Sequence, residues 1–544
     1  MHFLTFLSLA LFTTLQWASA ATPADFTRQG AQGVNLWKLK QLQNAKTSVE
    51  AQAQEAVLAE EFPAQYFTQP LDHFNPTGFT FKQRYWVNKR HYKPGTGAPV
   101  FVLDGGETSG AGRIPFLDKG IVDLLPSVTG GVGIVLEHRY YGESIAVQNL
   151  STDALRWLTN EQAAADSANF MRTVKLAGIH EDLTAPNTPW IYYGGSYAGA
   201  RAAHMRVLYP EITFGAIASS AVTHAALSNW EYMETIRLSA EHNCSRNLQH
   251  GIESIDEIIE KKTHLPALQA LFGLDNVTHA DDFAAVLNAP FGSWQSKNWD
   301  PAVGSTEFDD FCGAVNSPPT GQNLDIHAVP YGTGARSVKT PAGPLDFSLI
   351  NYAEYIRKNV AEECDFSMTQ DECFGTYNDA AFQNTGLDQE WRLWLFQVCT
   401  QWGYFTTAPP NPTHPRIISK LMTLPYLQKI CKQAYKPGKH FSIPSYPNVT
   451  AVNELGDFGI AADRLAFIDG EVDPWRPDTP HSIQYAQDRE DTILRPFKII
   501  PGGVHHWDEN GLVNKTAEPA DIKKVHDEMV VFVLAWLKDF KRPV

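Results

Sequence analysis

Residues 189–204 read PWIYYGGSYAGARAAH, an apolar run passing through Gly194, Gly195, Ser196, Tyr197, Ala198 and Gly199 into a helix-forming stretch. A serine on a strained strand-to-helix turn presents its hydroxyl for attack on a carbonyl, and small residues on both sides let strand and helix pass closely. Composition alone yields a bare G-x-S-x-(G/A) match about 0.3 to 0.5 times in a chain of this length, so the flanking elements carry the reading. The N-terminus of the following helix and the Tyr197 backbone N–H would face a developing oxyanion.

A serine hydroxyl needs a base, and the base needs an orienting acid. When the nucleophile sits on such an elbow, acid and histidine follow later in the chain, each in a loop after a strand. Two loops qualify. LAFIDGEVDPW offers Asp469, Glu471 and Asp473, and FKIIPGGVHHWDENG offers His505 and His506. The spacing does not choose among these. An earlier glycine-rich loop, FVLDGGETSGAG, stands where a second oxyanion donor belongs, with Gly105 and Gly106 able to bring backbone N–H groups close.

The elements that must position these residues are legible as short apolar runs between turn residues: QRYWVN, APVFVLDGGE, GVGIVLEHRYYG, PWIYYGGSYAG and TFGAIASSA. Runs without alternation, separated by helical lengths, predict a parallel sheet covered on both faces. LRWLTNEQAAADSANFMRTVKL supplies a crossover helix. Similar runs return only at DRLAFIDGEVDPW and LRPFKIIPGGVHHW. Between them lie helical segments and Pro/Gly/Ser loops that hold all six cysteines, Cys244, Cys312, Cys364, Cys373, Cys399 and Cys431. The expectation is an α/β-hydrolase fold with a large, mainly helical, disulfide-stapled cap inserted in the sheet domain. Its divisions are 1–20 signal peptide, 21–60 leader or propeptide-like helix, 61–225 first hydrolase part, 226–450 cap and 451–544 second hydrolase part.

The first twenty residues hold no charged side chain other than His2, and an apolar run ends in Ala18-Ser19-Ala20, the form of a secretory signal with its cleavage site. No later stretch approaches the roughly 18 apolar residues of a membrane span; MVVFVLAWL, from Met529 to Leu537, reads as a buried C-terminal helix. In a secreted chain an even cysteine count means disulfides. Local closure pairs Cys364 with Cys373 and Cys399 with Cys431, leaving Cys244 with Cys312. No C-x-x-C or H-E-x-x-H occurs, so neither a metal nor another cofactor is expected. Asn149, Asn243, Asn276, Asn448 and Asn514 each head an N-x-S/T triplet and are candidate glycosylation sites. The 44 Lys plus Arg against 60 Asp plus Glu give a net charge of −16, the wrong sign for binding nucleic acid.

YFTQPLDHFNP, FKQRYW, LEHRYYGES, GGSYAG, GEVDPW and GGVHHWD together resemble the serine peptidases that include lysosomal Pro-Xaa carboxypeptidase, dipeptidyl peptidase II and the secreted fungal acid prolyl endopeptidases. The resemblance runs from about residue 62 to the C-terminus. It implies peptide substrates, cleavage after proline or small residues at acidic pH, and Ser196, Asp473 and His505 as nucleophile, acid and base. Tyr197 and Gly106 would supply the oxyanion donors, and Glu107 would hold a substrate amine. His506 would lie beside the base or on the leaving-group side. Two departures stand out: Ala198 replaces a glycine of several relatives, and Asn510 replaces an arginine of the carboxypeptidase and dipeptidase branches.

The expected activity is that of a dipeptidyl peptidase or Pro-Xaa carboxypeptidase, with a prolyl endopeptidase as alternative, because the cap loops decide which end of the cleft is open. A secreted esterase or lipase would share the triad; an intact triad argues against a non-catalytic adhesion module. The expected setting is extracellular, or a vacuole-like compartment, as a monomer or homodimer without membrane partners.

Overall fold

Val100–Asp104 and Val132–Leu136 are buried along their whole length, as five-residue apolar runs must be when helices cover both faces of a sheet. The computed structural model describes residues 56–317 and 337–542. The signal segment, most of the leader and residues 318–336 of the cap lie outside these.

Eight strands form one sheet: β1 (Gln65–Pro70), β2 (Thr80–Asn88), β3 (Val100–Asp104), β4 (Val132–Leu136), β5 (Trp190–Gly195), β6 (Gly215–Ser219), β7 (Leu465–Gly470) and β8 (Phe497–Ile500). Their order is β1-β2-β4-β3-β5-β6-β7-β8. From β4 to β8 every pairing is parallel, whereas β2 runs antiparallel to both β1 and β4. The QRYWVN run therefore is a strand, but of an antiparallel edge. Strand β1 was not expected, because the edge strand QYFTQP has only one buried position.

One face of the sheet is covered by α1 (Ile121–Thr129) and the C-terminal helix Ala520–Lys538, through Ile121, Leu125, Met529, Phe532 and Trp536. Leu58 and Phe62 join the same cluster. The other face is covered by α2 (Asn160–Thr173) and α3 (Tyr197–Leu208), through Ala164, Phe170, Ala202 and Met205. Helix α2 starts at Asn160 because the Thr159 side chain caps it, accepting from Gln162 N. This layering and strand order, with a helical insertion between β6 and β7, is the α/β-hydrolase fold.

The insertion includes α4 (His242–Lys261), α5 (Glu307–Asn316), α6 (Phe347–Asn359), α7 (Trp391–Gln397) and α8 (Leu424–Ala434). With that numbering the C-terminal helix is α9. Disulfides join Cys244 of α4 to Cys312 of α5, Cys364 to Cys373, and Cys399 to Cys431 of α8. All five glycosylation-triplet asparagines are exposed. Among the described residues no helix is long and apolar enough to cross a membrane.

Candidate active site

Ser196 sits between β5 and α3 with φ 60° and ψ −124°, a left-handed conformation that a non-glycine residue adopts only under constraint. The constraint is visible around it. Its N–H donates to Ser219 O at 2.9 Å, and its side chain makes no capping bond to the helix it precedes. A Cβ on Gly194 would lie 2.0 Å from the Ala198 carbonyl oxygen, and one on Gly199 would lie 2.6 Å from Ser219 O. The glycines are thus required by the closeness of strand, elbow and helix.

Asp473 follows β7 and His505 follows β8. The two meet in a hydrogen bond of 2.8 Å between Asp473 Oδ2 and His505 Nδ1, both side chains being buried. Asp473 Oδ1 accepts the Trp475 N–H at 2.9 Å, and Ser220 is a further partner. Burial alone would raise the Asp473 pKa, but His505 and these hydrogen bonds hold it below the ordinary carboxylate value. With Nδ1 engaged, Nε2 of His505 is the nitrogen left to exchange a proton.

The other acidic candidates are committed elsewhere. Asp469 binds His481 Nδ1 at 2.7 Å and Glu471 accepts from Gly502 N at 2.8 Å. His506 adopts φ 55° and lays its ring against Gly195, with Glu509 at 3.5 Å. The ring thus lies beneath the elbow and 3.9 Å from the ring of His505.

The glycine loop also departs from expectation. Gly105 donates to Leu136 O at 2.8 Å, and Gly106, at φ 68°, donates to Asp104 Oδ1 at 2.9 Å. The Gly106 N–H is therefore engaged inside its own loop rather than free for an oxyanion. Tyr197 occupies the first position of α3, where a backbone N–H has no intrahelical acceptor. Glu107 is buried in the same loop, and its charge helps to raise the pKa of Tyr141, after the larger effects of burial and Tyr197.

Several residues that sequence reasoning missed surround Tyr197. Its hydroxyl meets His138 Nε2 at 3.0 Å and accepts from Gln397 Nε2 at 2.6 Å, while Tyr141 OH donates to Gln397 Oε1 at 2.7 Å. Trp394 and Trp402 pack edge-on against its ring. Burial and the nearby Arg201 cation keep His138 neutral, and burial pushes the Tyr197 hydroxyl up to about 12. The cap also grips the loops that carry Asp473 and His505. Trp294 Nε1 donates to Val472 O at 3.0 Å, Trp475 Nε1 to Gln295 Oε1 at 2.8 Å, and Trp299 Nε1 to Trp507 O at 2.8 Å. Among the described residues no cluster of His, Cys, Asp and Glu could hold a metal ion.

The family model "Serine carboxypeptidase S28" matches residues 69–529. The chain belongs to the S28 serine carboxypeptidase family. It is accordingly a serine-type peptidase, and peptides are its substrate class. Over 499 residues this S28 peptidase is 41% identical to a "Probable extracellular serine carboxypeptidase" of Arthroderma benhamiae, covering 88% of this chain and 68% of the relative. It is 26% identical over 498 residues to "Serine protease vicPb" of Bipolaris victoriae, covering 87% and 89% of the two chains. The "Thymus-specific serine protease" of Mus musculus is 26% identical over 496 residues, with 88% of each chain covered.

Proposed function

We propose that this S28 peptidase is secreted and cleaves peptides after proline or small residues through an acyl-enzyme formed on Ser196. Its parts are a hydrolase unit, 61–225 and 451–544, and a cap, 226–450, over the cleft. The Ser196 hydroxyl attacks the scissile carbonyl as His505 Nε2 takes its proton. Asp473 orients the imidazole and stabilises its charged form. The Tyr197 N–H donates to the oxyanion. His505 then returns the proton to the leaving amine, and water repeats the sequence to release the acyl group.

The observation that carries this reading is the 2.8 Å bond from Asp473 to His505 at the ends of neighbouring parallel strands, combined with Ser196 on the elbow after β5. The relative from Arthroderma benhamiae favours carboxypeptidase action and an extracellular setting. Release of a dipeptide from the amine end is a second reading, because Glu107 is a buried carboxylate in the loop facing the elbow. The lowered pKa of Asp473 keeps the acid ionised as the pH falls, which supports working under acidic conditions.

Product analysis of one proline-containing peptide, free and then blocked at either end, tests the specificity. Loss of cleavage on blocking the carboxylate is the expected result. Loss on blocking the amine would make the enzyme a dipeptidyl peptidase, and cleavage of the doubly blocked peptide an endopeptidase. Ser196→Ala retaining peptidase activity would contradict the mechanism.

A further inference from the structure

Asp104, the last residue of β3, receives hydrogen bonds or ion pairs from three elements of the site. Its Oδ1 accepts the Gly106 N–H at 2.9 Å, which fixes the left-handed turn of the glycine loop. Its Oδ2 accepts from Tyr192 OH on β5 at 2.7 Å and lies 2.6 Å from Arg201 Nε on α3. Arg201 is fully buried, and its guanidinium carbon stands 4.4 Å from the centre of the Tyr197 ring. One carboxylate therefore ties the loop after β3 to the strand before Ser196 and to the helix after it. The cation it binds rests on the residue whose N–H faces the oxyanion.

A buried ion pair is a poor source of stability, since desolvating both charges offsets their attraction. An apolar pair of similar volume would satisfy the fold as well. Burial works against a charged Arg201, yet Asp104, with Tyr197 and Tyr192, holds it firmly protonated. The pair is retained in a place where small displacements matter: an oxyanion donor acts only when aimed at the position the developing charge will occupy.

We propose that Asp104 and Arg201 are positioning residues for the oxyanion site, locking the Gly105–Glu107 loop and the Tyr197 N–H into one fixed arrangement around Ser196. The inference rests on the acyl-enzyme reading given above. It concerns the rate of acyl transfer rather than peptide binding or folding.

The test compares Asp104→Asn, Arg201→Lys and the double variant Asp104→Asn/Arg201→Met with the parent enzyme, each rate being divided by the concentration of sites titrated with a phosphonate. The expected result for Asp104→Asn is a fall in kcat of about tenfold or more with KM within about twofold, because the loss concerns the transition state. Arg201→Lys keeps the charge but loses the planar contact with Tyr197, and is expected to lower kcat in the same way. The double variant is expected to recover thermal stability relative to Asp104→Asn without recovering kcat. Parent-like kcat per titrated site in Asp104→Asn or in the double variant overturns the proposal, as does a loss accounted for entirely by a smaller folded fraction. Ser196→Ala is run alongside. If it is active the acyl-enzyme reading fails, whereas an inactive Ser196→Ala with a parent-like Asp104→Asn sinks the positioning role alone.

Discussion

The ring of His506 rests directly on Gly195: a Cβ at Gly195 would meet three ring atoms at 3.0 Å. The neighbour of His505 in sequence is thus the floor of the turn that holds Ser196, and the rings of His505 and His506 lie 3.9 Å apart. Gly195→Ala is expected to push His506, and with it His505, out of line, at a cost of about 1–3 kcal/mol for overpacking. Gly194→Ala should be worse, since its Cβ would meet the Ala198 carbonyl at 2.0 Å rather than a side chain. Steady-state kinetics and thermal unfolding of the two variants check this ranking; equal or reversed effects would contradict it.

The choice of Asp473 over Asp469 is open to a direct comparison. Asp473→Asn removes the charge that orients and stabilises His505, and should lower kcat on the order of 10⁴-fold with little change in KM. Asp469→Asn alters contacts with His481 and the Ala221 N–H but none with His505, so its kcat should stay within about tenfold of the parent. Similar losses in both variants would remove the distinction.

Asp508 carries a testable pH dependence. It is fully buried, accepting from Tyr193 OH at 2.9 Å and bonding Ser219 Oγ at 2.5 Å, and burial raises its pKa to about 6. The folded state therefore holds this proton more tightly than the unfolded chain. The resulting stability is fully present below the ordinary carboxyl value near 3.8 and is lost as pH rises through about 6. Two pKa units correspond to about 3 kcal/mol. Asp508→Asn should gain up to that amount at pH 7.5, and nothing at pH 4, in urea unfolding. A gain equal at both pH values would contradict the assignment.

The disulfides should differ in weight. Cys244–Cys312 closes a separation of 68 residues and Cys364–Cys373 one of 9. Loop-closure entropy assigns about 4 kcal/mol to the first and less than about 3 kcal/mol to the second. Paired Cys→Ser replacements followed by denaturant unfolding should give that order.

Much of this site could be read from the chain because its parts are local. The apolar runs marked β2 to β8, and small residues around Ser196 marked the elbow. Three carboxylates within five residues of one loop could not be separated by spacing, since what separates them is His481 and His505 approaching from other segments. Gly106 looked like an oxyanion donor because its loop stands in the right place, but its N–H is taken by a side chain two residues earlier. The Tyr197 contacts with Gln397 and the Tyr141 bond to the same residue span 200 and 256 positions, so nothing in local pattern announces them. Arg201 looked like an ordinary helix residue, and only the fold shows that it is fully buried against Asp104.

The central claim, that Ser196 is the nucleophile of a serine peptidase, is tested most directly by treating the protein with an active-site phosphonate and mapping the adduct by peptide mass spectrometry. A single adduct on Ser196 is expected, formed in step with loss of peptidase activity and absent from Ser196→Ala. An adduct on another residue, or a Ser196→Ala variant that still cleaves peptides at the parent rate, would contradict it.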